Sequence, residues 1–205
     1  MKNLPEGLYG ITVRSWGFDH VSSAELLLKA GARIIQYREK KLEARDMINE
    51  ARAVKELCSS YGAVFIVDDR VDIAYAVEAD GVHLGQQDLP AEIARKILGD
   101  AIIGVSASTP QEGVEAERSG ADYIGAGSIF PSPTKPEERV LGVEGLRQLT
   151  KLVKIPVYAI GGIKLEHVRM LKSFGIRGVA VISAIFASED PQKAARQFVE
   201  EWSRS

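Results

Sequence analysis

Residues 118–135 read RSGADYIGAGSIFPSPTK, and three kinds of chain follow one another within them. A helix end stops at Gly120, an apolar run continues through Tyr123 and Ile124, and the segment then turns into prolines, hydroxyls and one lysine. A short run that stays apolar instead of alternating is what a parallel strand buried on both faces requires. Pro131, Pro133 and Pro136 each fix φ and lack a backbone donor, so the strand cannot continue through them. Ser132, Thr134 and Lys135 offer hydroxyl donors and a point cation, which suit an oxyanion such as phosphate; a rigid connector would use the same residues.

The passage from helix end to stop to strand recurs. KAGARIIQ, VEADGVHL and SFGIRGVAV repeat it, with Gly or Ala stops at positions 31, 79, 120 and 175, spaced 48, 41 and 55 residues apart. Each spacing is about two strand–helix units, and the strands entered are the second, fourth, sixth and eighth of eight apolar runs. In order these are LYGITV, RIIQYR, AVFIVDD, GVHLG, AIIGVS, DYIGAGSI, PVYAIGG and GVAVIS. Helical segments lie between them. SSAELLLKAG has a capping-box spacing from Ser22 to Glu25 and a stop at Gly31; TPQEGVEAERSG has Thr109 as cap, Pro110 at the first helical position and Glu112 three residues after the cap. Between residues 43 and 62, Met47, Ile48, Ala51, Val54 and Leu57 share one helical face, EGLRQLTKLVK and LEHVRMLKSFG repeat the pattern more briefly, and a last helix opens near Pro191. Alternating strands and helices with right-handed crossovers predict one α/β domain over residues 1–205, a closed TIM (β/α)8 barrel, with a doubly wound open sheet as the competing topology.

Bulk composition is compatible with this. The 205 residues are 45% hydrophobic and 26% charged, enough apolar surface for a full core. A net charge of −2 gives no electrostatic reason to expect nucleic acid or an anionic membrane as partner. Cys58 is the single cysteine, so no disulfide framework exists, which fits a reducing cytoplasm; it reads as a part-buried small side chain near a helix end. The N-terminal MKNLPEGLYGITV lacks the apolar core of a signal peptide, and no segment has the unbroken apolar length of a membrane span, so a soluble protein is expected.

In a TIM barrel the active site is built at the carboxyl ends of the strands. There the second run ends in Gln36, Arg38 and Lys40, alternate residues that point the same way because the strand period is two. Arg38 and Lys40 could equally be a solvated strand edge. The third run ends in Asp68, Asp69 and Arg70, the fourth leads to Asp88, and the fifth ends at Ser106. Asp88 has a competing role as cap of the helix begun by LPAEIARKI. Carboxylates converging on one mouth would repel one another unless a cation or an arginine intervenes, and a magnesium ion with a bridging diphosphate removes that penalty. Gly161 and Gly162 leave backbone N–H groups approachable, and ISAI opens a helical turn whose first amides face the same mouth, an arrangement that holds phosphate or makes a purely structural tight turn. His83, inside the fourth run, reads as a packed histidine, and three unclustered histidines argue against a zinc site.

QYREK, FIVDDRVDIA, ADGVHLGQQDLP, IIGVSAST, GADYIGAGSIFPSPTK, PVYAIGGI and VAVISAI arrive in one order from the second strand to the last, and in that order the sequence resembles the thiamine phosphate synthase family. The resemblance implies a TIM barrel, commonly a homodimer, that joins an aminopyrimidine methyl diphosphate to a thiazole phosphate and releases diphosphate. It implies that Gln36, Arg38 and Lys40 bind the pyrimidine diphosphate, that Asp69 and Asp88 hold Mg²⁺, and that Ser106 and Lys135 contact the diphosphate substrate. Ser132 and Thr134, with backbone groups at Gly162, Ile182 and Ser183, would receive the thiazole phosphate. Arg38, Lys40 and Lys135 would stabilise the departing charge in a dissociative reaction. Asp68 stands where family members often have Asn; it is counted with the substrate-binding residues, and either joining the metal shell or pairing with an arginine is open to it. Ser108 stands where members related to the thiazole tautomerases carry His, which disfavours a proton-shuttling tautomerase. A tautomerase-like paralogue and a noncatalytic thiazole phosphate binder are the competing functions.

Overall fold

In a computed structural model, which describes residues 4–131 and 140–204, the apolar runs pair side by side in chain order. They form β1 (Gly7–Ile11), β2 (Ile34–Tyr37), β3 (Val64–Asp68), β4 (Gly81–Leu84), β5 (Ile102–Ala107), β6 (Tyr123–Ala126), β7 (Val157–Ile160) and β8 (Gly178–Val181). Every pairing is parallel, and β8 returns to β1 through Leu8 opposite Val179 and Tyr9 opposite Ala180, so the sheet is a closed barrel. The open-sheet alternative is excluded. Around it, among the described residues, run α1 (His20–Ala30), α2 (Ala44–Ser60), α3 (Val71–Ala76), α4 (Ala91–Leu98), α5 (Pro110–Arg118), α6 (Gly142–Leu152), α7 (Val168–Lys172), α8 (Ser183–Phe186) and α9 (Pro191–Arg204), with a 3-10 turn at Leu165–His167.

Period-two alternation divides the strand residues between two cores. Outward side chains such as Ile35, Phe65, Val82 and Ile103 pack under the helices, where Met47, Ala51 and Val54 of α2 meet them. Inward side chains, among them Tyr9, Ile34, Ile66, Tyr123 and Tyr158, fill the barrel. The three tyrosine rings pack edge to face or tilted, with centroids 5.1 to 5.9 Å apart. Room for Tyr123 comes from Gly104 on β5, where a Cβ would lie 2.0 Å from the ring. No side chain is tolerable at that inward position.

Several local expectations are corrected. The cap of α1 is Asp19, whose carboxylate accepts the Ser22 N–H at 2.7 Å while the Ser22 hydroxyl accepts from the Asp19 N–H. Ser22 is thus the returning partner of the capping box. Gly31 does end the helix, at φ 113°. Thr109 caps α5 as expected, accepting the Glu112 N–H at 3.1 Å. At the stop near position 79 the left-handed residue is Glu78, at φ 52°, not Ala79. Cys58 is fully buried on the core face of α2, and burial pushes its thiol up to about 12. Among the described residues no helix is long and apolar enough to cross a membrane.

Candidate active site at the carboxyl ends of the strands

Parallel pairing puts the ends of β2, β3, β4 and β5 side by side, with Asp68 opposite His83 and His83 opposite Gly104. Asp68 is buried and bracketed by two cations: its Oδ2 lies 3.5 Å from Arg38 Nε and 2.8 Å from Lys40 Nζ. Lys40 also pairs with the Asp69 carboxylate. Of the two roles open to Asp68, pairing with Arg38 and Lys40 is the one the geometry displays. Burial works against the Lys40 charge, but the fields of Asp68 and Asp69 outweigh it and raise its pKa.

Asp69 sits at φ 58°, a left-handed conformation that a non-glycine residue adopts at a cost and that is concentrated at functional sites. Asp88 does not cap α4, which begins at Ala91 behind Pro90; instead its Oδ2 accepts the Gly85 N–H at 2.7 Å. Burial and the neighbouring Asp69 carboxylate raise the Asp88 pKa. Two carboxylates brought together against their mutual repulsion are a donor set suited to a hard divalent cation, so Asp69 and Asp88 fit a magnesium ion by chemistry. A second acidic group, His20, Glu39 and Glu50, also brings its possible ligand atoms together, within 4.8 Å of one another, but Arg14 already bridges its two carboxylates from Nε and Nη2 at 3.1 and 2.5 Å. That group is charge-compensated by protein.

A chain of hydrogen bonds crosses the barrel beneath these residues. Gln36 Nε2 donates to Tyr9 OH at 3.2 Å, Tyr9 OH meets Tyr123 OH at 2.7 Å, Tyr123 OH meets His83 Nδ1 at 3.0 Å, and His83 Nε2 meets Ser106 Oγ at 2.9 Å. Because the Gln36 amide donates, the polarity that uses every hydrogen runs Tyr9 to Tyr123 to His83 Nδ1, with Nε2–H donating to Ser106. Ser106 then keeps its own hydrogen for an anion. Burial lowers the His83 pKa, consistent with the neutral ring this polarity needs. His83 is therefore packed, as its place in the fourth run implies, and it also orients a site hydroxyl. Tyr9, Tyr123 and His83 were not among the sequence-derived site residues; three polar tips at inward positions of apolar strands were the available signal.

On the far side of the mouth, β6 leads into a clasp over β7. Ile129 N–H donates to Ile160 O at 2.9 Å and Phe130 N–H to Gly161 O at 3.0 Å, while the Leu141 and Gly142 N–H groups return to Ser128 O at 2.9 and 3.2 Å. Gly161, at φ 97°, is required: a Cβ there would lie 2.0 Å from Ser128 Oγ. Gly162 and the start of α8, Ile182 and Ser183, end β7 and β8 at the same mouth. Ser132, Thr134 and Lys135 lie outside the described residues. An apolar groove between α3 and α4, lined by Tyr75, Leu89 and Ile97, borders Asp69 from outside the barrel; Arg70 also lines it and is paired with Asp72.

A closed (β/α)8 barrel with paired cations, adjacent carboxylates and a hydroxyl bonded to His83 at one mouth has the chemistry suited to anionic ligands. Residues 8–185 match the family model described as Thiamine monophosphate synthase. A thiamine-phosphate synthase of Caldivirga maquilingensis is 54% identical over 200 residues, spanning 97% of this chain and 98% of its own. One from Pyrococcus furiosus is 47% identical over 197 residues, 95% of each chain. The solved structure of a thiamine phosphate pyrophosphorylase from Pyrococcus furiosus superposes with a TM-score of 0.91 at 44% identity, covering 97% of this chain and 96% of that one. Similarity to 3-hexulose-6-phosphate synthase, with a TM-score of 0.70 at 18% identity, is one of fold alone. The chain belongs to the thiamine monophosphate synthase family.

Proposed function

We propose that this protein condenses 4-amino-2-methyl-5-hydroxymethylpyrimidine diphosphate with thiazole phosphate, giving thiamine phosphate and diphosphate. The observation that carries the reading is the gathering of Arg38, Lys40, Asp69 and Ser106 around one barrel mouth, in a chain 54% identical to a thiamine-phosphate synthase over nearly its full length. Arg38 and Lys40 take the diphosphate, exchanging the Asp68 and Asp69 carboxylates for phosphate oxygens. Gln36, whose amide donates to Tyr9 OH, takes part in binding the pyrimidine diphosphate. Ser106 donates its remaining hydrogen to the leaving group. Asp69 and Asp88 would hold a magnesium ion, which when bound neutralises diphosphate charge. Lys135 contacts the same diphosphate, and Ser132, Thr134 and backbone groups at Gly162, Ile182 and Ser183 receive the thiazole phosphate.

In the reaction the bond between the pyrimidine methylene carbon and the diphosphate oxygen breaks, and its electron pair leaves with diphosphate. The thiazole nitrogen lone pair then forms the new C–N bond to the resulting cation. No strong base is needed, in keeping with a mouth rich in cations and hydroxyls. Catalysis consists of stabilising the departing charge and holding the second reactant in line. The tautomerase reading is disfavoured by Ser108, whose N–H is tied to Glu112 at 2.6 Å and whose side chain supplies no imidazole. A binder of thiazole phosphate alone would have no use for Arg38, Lys40, Asp69 and Asp88. A homodimer in the cytoplasm, acting on small molecules without nucleic acid or membrane, completes the proposal.

The test is direct. Purified protein with Mg²⁺ and both substrates should yield thiamine phosphate and diphosphate, followed by chromatography, and chelation of the metal should stop the reaction until Mg²⁺ is restored. Product no higher than in the enzyme-free control would reject the reading.

A further inference from the structure

Strand alternation that turns Gln36, Arg38 and Lys40 toward the mouth turns Tyr37 and Glu39 away from it, under α1 and α2. A carboxylate in that position should be costly, yet Glu39 is 7% exposed. It is met by four donors. Oε1 accepts the backbone N–H groups of Lys40 at 2.7 Å and Lys41 at 2.6 Å; Oε2 accepts from Arg14 Nε at 3.1 Å and His20 Nε2 at 3.2 Å. Burial pushes the Glu39 carboxyl up, but donation from Lys41, His20, Arg14 and Lys40 outweighs it and lowers the carboxyl to about 2. The first two bonds bend the chain around the carboxylate directly after β2.

The support continues into Thr12, the residue that follows β1. Thr12 Oγ1 accepts the Arg38 N–H at 3.2 Å and lies 2.7 Å from His20 Nδ1. With Thr12 donating to Nδ1, His20 carries its proton on Nε2 and donates to Glu39, so a neutral ring satisfies both contacts. The His20 ring is buried and packs edge to face on Tyr37, with centroids 4.9 Å apart, and Tyr37 OH donates to Glu50 on α2 at 2.9 Å. The backbone at Arg38 is thus held by Thr12, and that at Lys40 by Glu39. These are the two residues whose side chains flank Asp68.

We propose that Glu39, supported by Thr12 and His20, is a positioning residue that fixes the corner after β2 so that the Arg38 and Lys40 cations are set for a diphosphate. Glu39 touches no substrate itself. The inference rests on the reading that Arg38 and Lys40 receive diphosphate. Glu39→Gln keeps the shape but replaces one acceptor oxygen by a donor, which faces either two backbone N–H groups or Arg14 and His20. Thr12→Val keeps the volume and removes the acceptor of the Arg38 N–H.

Calorimetric titration with inorganic diphosphate and Mg²⁺, together with KM for each substrate, tests this. Glu39→Gln and Thr12→Val should weaken diphosphate binding about tenfold, as expected for losing a buried hydrogen bond, charged at Glu39 and neutral at Thr12. They should raise KM for the pyrimidine diphosphate in step and leave KM for thiazole phosphate within about twofold. Thr12→Ser, which retains the hydroxyl, should restore wild-type values. If Glu39→Gln fails to fold, Thr12→Val against Thr12→Ser carries the test. Unchanged diphosphate affinity, or both KM values rising together, would overturn the proposal, as would a wild-type protein that does not bind diphosphate. Wild-type protein that binds diphosphate without making thiamine phosphate, with the variants still weakened, would remove the synthase reading and leave the positioning role standing.

Discussion

At the residue scale, the informative side chain is Ser106. The sequence places it at the end of an apolar strand, and the resemblance gives it a diphosphate contact; the structure adds His83 Nε2 at 2.9 Å from its oxygen, and with the tautomer that the chain of hydrogen bonds favours, the hydroxyl hydrogen is left for another acceptor. A hydroxyl whose acceptor role is already taken is pre-set as a donor, and such a donor costs no reorganisation when charge develops on a leaving oxygen. Ser106→Ala should therefore lower kcat about a hundredfold, the scale seen on removing one preorganised donor, with the far-UV circular dichroism unchanged. A variant within twofold of wild type would strike Ser106 from the catalytic set. The chain behind it was not legible, because Tyr9 and Tyr123 are 114 residues apart and each reads as one more aromatic in a core strand. Glu39 was hidden for the opposite reason. A glutamate between an arginine and a lysine reads as solvated, and only the packing of α1 and α2 over β2 shows that it is enclosed.

At the element scale, the clasp between the end of β6 and the end of β7 explains both a boundary that sequence placed wrongly and a glycine that it placed well. DYIGAGSI reads as one strand through Ile129, yet β6 ends at Ala126, because Ile129 and Phe130 leave the β6 ladder to donate to Ile160 and Gly161. An apolar run records burial, and burial continues past the last rung of the sheet. The Gly161–Gly162 pair was read as an approachable turn, and its close approach is now assigned to Ser128 and Phe130. Gly161→Ala combines a positive φ with a Cβ 2.0 Å from Ser128 Oγ, so it should destabilise by roughly 1–3 kcal/mol and raise KM for thiazole phosphate. Thermal unfolding and steady-state kinetics measure both; a variant with wild-type Tm and KM would mean that the clasp does not shape that half of the mouth. The helix starts teach a related lesson: Thr109 was identifiable because cap and first-turn proline coincide, whereas Asp19 was passed over for Ser22 because both are good caps three residues apart.

At the scale of the whole molecule, closure does what no segment can. Eight parallel strands bring β8 back to β1, and one ring of strand ends then collects Arg38, Lys40, Asp68, Asp69, Asp88 and Ser106 from residues spread over 38–106. The fold was legible because eight continuous apolar runs with recurring stops admit few topologies. The gathering of candidate residues at the mouth was legible where chemistry changes abruptly at a strand end, as at Gln36–Lys40 and Asp68–Asp69, and illegible where it depends on which acid faces which. The structure brings a second acidic group together, and compensation by Arg14 separates the two: Glu39 and Glu50 are both met by Arg14, while Asp88 is held against the neighbouring Asp69 carboxylate, which raises its pKa. The most direct measurement of the central claim is the anomalous density of a crystal grown with Mn²⁺ and inorganic diphosphate. A manganese peak should stand between Asp69 and Asp88, with diphosphate on Arg38 and Lys40. A peak on His20, Glu39 and Glu50, or diphosphate bound away from the barrel mouth, would contradict it.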